Sequence, residues 1–304
     1  MDMQSTSTLT RARTLALIGA ATGIGCALPE TARAPAWLRD HGLIDHLTAQ
    51  GVMVAWSAII AADADGASDV VTRIARSSGR LARAVEAAMA ADSPFAVLGG
   101  DHSCAIGTWS GAARAVRARG PLGLIWVDAH MDSHVPETSP SGFYHGMPLA
   151  CLLGHGPEAL TSVADGAPAL TPGHVGVVGV RSYEPQEAAL LERLGVRVFY
   201  MTEVAERGLA AVMRDASRVA FTGTVAAGIS IDLDALDPRE APSVGSAVPG
   251  GLSVDALAAA LAGFARDPRV IGCEIVEFNP ALAGAEKTAG AIETLLAAFQ
   301  GRGR

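Results

Sequence analysis

Apolar runs of strand composition alternate with helical patterns along nearly the whole chain, and this alternation is the strongest constraint on its fold. Leu15–Gly19, Phe95–Leu98, Leu122–Val127, His174–Val180, Val196–Tyr200, Ala226–Ile231 and Val270–Val276 read as strands. Ala67–Ala91, Ser103–Arg119, Glu184–Leu194, Glu203–Ala216, Ser253–Arg266 and Glu286–Phe299 read as helices. Strands separated by helices of this length predict an α/β protein, a three-layer αβα sandwich with a central, mostly parallel β-sheet. A sheet covered on both faces needs strands that are apolar throughout, and 50% of the 304 residues are hydrophobic. No internal repeat, low-complexity linker or composition shift divides the chain. Residues 11–304 are therefore expected to form one domain behind a loose polar tail, residues 1–10.

Composition excludes several classes. Charged residues make up only 18%, too few for a disordered chain or a coiled coil. A net charge of −8, with Lys287 the only lysine, argues against a nucleic-acid surface. The cysteines, Cys26, Cys104, Cys151 and Cys273, are scattered with no Cys-x-x-Cys, against a zinc knuckle or redox pair. Three of them sit in apolar sequence as small core residues, and a reducing, cytoplasmic setting fits. Arg11 and Arg13 before Leu15–Ile18 loosely imitate a signal peptide. Gly19, Gly23 and Gly25 break that run, so a first strand and its turn is the better reading. No run is long enough for a membrane-spanning helix.

Three strand-like runs end in acidic and imidazole side chains. Leu122–Val127 leads into Asp128-Ala129-His130-Met131-Asp132-Ser133-His134, whose first, third and fifth residues share one side of an extended chain. Val225–Ile229 leads into Ser230-Ile231-Asp232-Leu233-Asp234, and Phe95–Leu98 into Gly99-Gly100-Asp101-His102-Ser103. A lone Asp-x-Asp after a strand is ordinarily a turn or a cap. Three such signals, each at a strand end, are poorly explained as three independent turns. Carboxylates gathered there without cations would be costly to bury. One metal could use three or four of His102, Asp128, His130, Asp132, Asp232 and Asp234; two bridged ions would use all six.

A rival reading comes from Gly19-Ala20-Ala21-Thr22-Gly23-Ile24-Gly25, which has the glycine spacing of short-chain dehydrogenases directly after a strand. That chemistry also needs Tyr-x-x-x-Lys. Four residues after Tyr144, Tyr183 and Tyr200 stand Pro148, Glu187 and Val204, so the catalytic pair is missing.

Taken in order, the three acidic segments resemble the ureohydrolase superfamily of arginases, agmatinases and related guanidino- or formimino-hydrolases. The segment Thr138–Pro148, with Ser141-Gly142 and His145-Gly146-Met147-Pro148, is closer to arginases than to agmatinases. The resemblance implies an arginase-like fold and two manganese ions, with nickel or cobalt able to use the same ligands. One ion is expected on His102, Asp128, Asp132 and Asp232, the other on His130, Asp128, Asp232 and Asp234. It further implies attack of a metal-bridging hydroxide on a guanidinium, giving urea and an amine. Asp132 would steady the hydroxide, Glu277 bind the guanidinium and His145 carry protons to the leaving amine. Asp101 and Asp237 are expected as supporting or turn residues; His41, His46, His155 and His174 have no motif context. A small guanidino substrate, a cytoplasmic homotrimer or homohexamer, and no nucleic-acid or membrane partner complete the implied picture.

The chain departs from arginases where those grip the tail of the substrate. Their loop supplies an asparagine two residues after the Asp-x-His-x-Asp motif and a Ser-Gly-Asn triplet beyond; here stand His134 and Ser141-Gly142-Phe143. Phe143 cannot donate a hydrogen bond, and His134 donates only in a suitable tautomer. Glu184 sits where an acidic residue faces the α-amino group, and Ser246 is carried over as a further substrate contact. The resemblance makes arginase the expected activity, with hydrolysis of agmatine, guanidinobutyrate, guanidinopropionate or guanidine as the alternative. A non-catalytic subunit of this fold is a third reading, which the complete ligand set opposes. Deacetylases of similar architecture lack the Gly-Gly-Asp-His and Ser-Ile-Asp-Leu-Asp combination.

Overall fold

A computed structural model describes residues 14–301. The expected tail (residues 1–10), Arg11 and Arg13 lie outside the described residues. In chain order the elements are β1 (Leu15–Ala21), α1 (Ala34–Asp40), α2 (Leu43–Ala49), β2 (Val54–Ala61), α3 (Val70–Ala90), β3 (Phe95–Gly99), α4 (Ala105–Val116) and β4 (Leu122–Val127). There follow α5 (Pro148–Leu152), α6 (Glu158–Thr161), β5 (Val175–Val180), α7 (Pro185–Leu194), β6 (Arg197–Tyr200), α8 (Met201–Arg207) and α9 (Leu209–Phe221). The chain closes with β7 (Ala226–Asp232), α10 (Val254–Phe264), β8 (Val270–Val276) and α11 (Ala285–Gln300).

The eight strands form one sheet in the order β2-β1-β3-β8-β7-β4-β5-β6, and every pairing is parallel. Alternate strand residues point to opposite faces, and two cores result. Ala96, Leu98, Ile125 and Val127 pack with α1, α2, α9, α10 and α11 on one face. Phe95, Val97, Leu124 and Trp126 pack with α3, α4, α5 and α7 on the other. The expected three-layer sandwich is what forms. Helix ends follow local chemistry: Asp69 accepts the Thr72 N–H to start α3, Ser253 accepts that of Ala256 to start α10, and Glu184 and Glu187 form a reciprocal capping box on α7.

The structure differs from the sequence expectation in three places, of which the short helices α5 and α6 after the β4 loop are one. The strand β2 and the helices α1 and α2 before it were not expected. Ala and Ser weaken strand propensity in Val54–Ala61, and this edge strand is only partly buried. The single helix expected over Glu203–Ala216 is two, because the chain passes through Gly208 at φ 79°, which interrupts the helix between α8 and α9. No helix of the described residues is long and apolar enough to cross a membrane.

The strand order puts the carboxyl ends of β3, β8, β7 and β4 side by side at the centre of the sheet. In open parallel sheets this is where ligands bind.

Candidate metal centre and substrate cleft

His102 follows β3, Asp128, His130 and Asp132 follow β4, Asp232 ends β7 and Asp234 stands two residues past it. The fold brings these six together. His102 Nδ1 lies 3.4 Å from Asp128 Oδ2, 3.0 Å from Asp132 Oδ2 and 3.1 Å from Asp232 Oδ2. His130 Nδ1 lies 3.4 Å from Asp128 Oδ1 and 3.0 Å from Asp234 Oδ2. Asp128 therefore turns one oxygen to each group. The first group contains the four residues expected to share an ion; the second is Asp128, His130 and Asp234. Asp232, expected in both, stands in the first group only.

These donors fit divalent cations. One imidazole nitrogen can give at most one hydrogen, yet three carboxylate oxygens crowd around His102 Nδ1. Asp132 Oδ2, deeply buried, has no hydrogen-bond partner. Burial, helped by the charge of Asp128, pushes Asp132 up to about 6. A cation at the centre of each group would relieve this crowding. The donors are oxygen-rich with one imidazole per group, which suits hard or borderline ions.

Backbone geometry holds the ligands in place. A Cβ on Gly100 would fall 1.7 Å from the Thr22 carbonyl oxygen, so the turn before His102 requires glycine there. Asp101 accepts the N–H groups of Gly25 and Ser103 and acts as the supporting residue expected of it. Asp132 and Glu277 both sit in the left-handed region, at φ 50° and 67°. For residues with a side chain that conformation is strained and is held by the surroundings. Arg181 clamps the loop past β7 by donating to the carbonyls of Asp234, Ala235, Leu236, Val248 and Pro249. Asp237 pairs with Arg239 in a turn, away from the ligands.

Above the ligands opens a cleft of about 530 Å³ lined by His130, Asp132, His145, Asp232, Asp234 and Glu277, among others. Glu277 Oε1 accepts the His102 backbone N–H at 2.8 Å and faces His145 Nδ1 at 3.2 Å. Burial opposes a proton charge on His145. The bond to Glu277 and the charges of Glu277, Asp132 and Asp101 outweigh it and push the ring up to about 9.

The outer cleft holds Ser141, Phe143, His134, Glu184 and Ser246 together. His134 Nε2 lies 3.0 Å from Glu184 Oε2 and 3.5 Å from Glu187 Oε2. Its Nδ1 lies 3.1 Å from Thr138 Oγ1. Both ring nitrogens are thus engaged within the protein. The N–H groups of Gly142 and Phe143 are also occupied, by Ser139 Oγ and Ser141 Oγ. Phe143 is 37% exposed and meets His145 edge-on, with ring centroids 6.1 Å apart.

Sequence reasoning missed four contributors. Cys26 lines the cleft, where burial pushes its thiol up to about 12. Glu187 does so too, pushed up to about 8 by burial, with the charge of Asp132 adding. Arg181 and the buried Glu274 complete the four. In Arg181-Ser-Tyr-Glu184 only Glu184 carries a sequence signal, and a glutamate inside an apolar strand run is the one available sign of Glu274. The other three cysteines are buried and none of the four forms a disulfide. Of the histidines without motif context, His41 stacks on Trp37 and His46 pairs with Glu293 at the surface.

The comparisons with known proteins agree with this geometry. The family model described as "Arginase family" matches residues 13–300. The arginase of Bacillus caldovelox is 39% identical over 228 residues, 75% of each chain. The crystal structure of an arginase from Bacillus cereus superposes with a TM-score of 0.88 at 32% identity, covering 96% of this chain and 99% of that one. That of Entamoeba histolytica arginase, solved with L-ornithine, gives 0.87 at 25% identity, covering 95% and 99%. Fold, ligand order and similarity over nearly all the described residues converge, and the chain belongs to the arginase family.

Proposed function

We propose that the protein hydrolyses a guanidino group to urea and an amine, with arginase, L-arginine to L-ornithine and urea, as the activity its relatives support best. The observation that carries the reading is a pair of imidazole–carboxylate groups sharing Asp128, with the Glu277 carboxylate lining the same cleft. Manganese suits the oxygen-rich donors, and nickel or cobalt could use them too. Bound there, the two ions would make water nucleophilic near neutral pH and stabilise negative charge on the attacking oxygen.

The chain's own residues do the rest. Glu277 matches the positive charge and planarity of a guanidinium; with Oε1 tied to His102 and His145, Oε2 is the oxygen a substrate would meet. Asp132, a member of the first ligand group placed by its left-handed backbone, would accept a hydrogen bond from the nucleophilic water and hold it oriented. His145, protonated at neutral pH by the influence of Glu277, can pass its proton to the leaving amine. Glu184, Ser141 and Ser246 stand where the substrate tail would lie. The family relationship also supports a cytoplasmic homotrimer or homohexamer, which light scattering would test.

A specific observation favours a second reading of the tail. With both His134 nitrogens and the Gly142 and Phe143 N–H groups occupied, no lysine or arginine among the cleft residues, and Glu184 and Glu187 nearby, an α-carboxylate meets few donors. A guanidino compound without that carboxylate fits better. The deciding experiment is urea release by manganese-loaded protein from L-arginine, agmatine, 4-guanidinobutyrate, 3-guanidinopropionate and guanidine. Preference for arginine supports the first reading and preference for agmatine the second. No urea from any of them, with two metals bound, would overturn both.

A further inference from the structure

Beneath the metal centre lies a hydrogen-bonded row that no part of the proposed reaction uses. Sheet register sets it: Trp126 of β4 pairs with Ser230 of β7, and Ser230 pairs with Glu274 of β8. Residues paired across a parallel sheet share a face, so the three side chains stand side by side under His102. The Trp126 indole stacks on the His102 imidazole, with centroids 4.2 Å apart and planes 9° apart, and its N–H donates to Asp128 Oδ2 at 2.9 Å. His102 Nε2 lies 3.0 Å from Ser230 Oγ, which donates to Glu274 Oε2 at 2.7 Å.

Glu274 is fully buried, a costly place for a carboxylate without partners. It accepts from Ser230, from the Trp109 indole at 3.0 Å and from the Thr108 hydroxyl, with the Cys104 thiol at 3.6 Å. Three of these donors sit on or just before α4, the helix that follows His102. Trp109 packs against β7 at Gly228, where a Cβ would fall 2.1 Å from its ring.

The direction of the hydrogen bonds follows from counting protons. A serine hydroxyl has one hydrogen, and a carboxylate can only accept. Ser230 spends its hydrogen on Glu274 and must accept from His102 Nε2–H. With the hydrogen on Nε2, the Nδ1 lone pair faces Asp128, Asp132 and Asp232. We propose that Glu274 is a positioning residue: acting through Ser230, it fixes the His102 tautomer that leaves Nδ1 open to a cation. Carboxylates behind metal-binding histidines orient the ring and raise its basicity; here one hydroxyl stands between. The inference rests on the metal-binding reading of the site, and not on which guanidino compound is cleaved.

The test is manganese binding rather than turnover. Metal-free wild type, Ser230→Ala, Glu274→Gln and the double variant are titrated with Mn²⁺, while electron paramagnetic resonance distinguishes a coupled ion pair from a lone ion. Thermal unfolding of the metal-free proteins reports whether each variant is folded. Each single variant should bind one ion about 10- to 100-fold more weakly, and the lone-ion signal should replace the coupled one at intermediate manganese. The double variant should be no worse than the poorer single, because the two residues act as one unit. Wild-type affinity for both ions in Ser230→Ala, or losses that multiply in the double variant, would overturn the proposal. If Glu274→Gln does not fold, Ser230→Ala decides it alone. A wild type that fails to bind two ions would instead overturn the metal-binding reading.

Discussion

Glu277 accepts the backbone N–H of His102 at 2.8 Å, so a carboxylate on the cleft wall is tied to the main chain of a candidate metal ligand. The cleft wall and a candidate metal ligand are thereby held in one register across β3 and β8. Glu277→Gln keeps the size of the side chain and removes its charge. We expect kcat/KM for any guanidinium substrate to fall at least about 100-fold, the scale of a lost charged hydrogen bond, while manganese content by metal analysis stays at the wild-type level. Loss of the metals together with the activity would show that Glu277 belongs to the centre and not to the substrate.

Asp128 faces both ligand groups with different oxygens. Asp128→Asn should weaken both ions together and remove detectable urea formation. A variant that kept two ions and full turnover would show the ligand assignment to be wrong.

If Glu184 meets the substrate tail, its contact with His134 sets specificity. The double variant His134→Asn, Phe143→Asn frees Glu184 and supplies two amides to the outer cleft. It should raise kcat/KM for L-arginine relative to agmatine by at least about tenfold, about 1.4 kcal/mol. An unchanged ratio would mean that the substrate carboxylate is held elsewhere, for instance through Ser141 and water.

In the metal-free fold His145 is raised from 6.5 to about 9. The folded protein then holds this proton more tightly than the unfolded chain. The resulting stability is fully present below about pH 6.5 and is lost as pH rises through about 9, at most about 3 kcal/mol. Urea unfolding of metal-free wild type and His145→Gln should show a gap at pH 6 that closes by about pH 10. A gap that widened with pH would reverse the assignment of charge.

The six candidate ligands were legible in the sequence because each stands just past an apolar run, where a parallel sheet presents its strand ends to solvent. The layer order followed from the same alternation. Edge strand β2 was not legible, since Val54–Ala61 is only partly buried and rich in small residues. The contact between His134 and Glu184 joins residues 50 apart in the chain, and no local pattern announces it. Glu274 stands out in the sequence only as a charge inside an apolar strand run, which marks it as unusual without saying what it does. Its neighbours Ser230 and Trp126 are set by register across three strands, which one sequence does not reveal.

Strand order has a consequence for how such a site comes into being. β8 is the last strand of the chain, yet it lies between β3 and β7. Until residues 270–276 are made, β2-β1-β3 and β7-β4-β5-β6 have no strand in common, and His102 rides on the first set while Asp128, Asp232 and Asp234 ride on the second. A ribosome adding about 5–20 residues per second therefore exposes the His102 turn apart from its carboxylate partners before the keystone strand arrives with Glu274 and Glu277. The growing chain cannot bring His102 to the Asp128, Asp132 and Asp232 carboxylates, or set Glu277 over them, before β8 has been made.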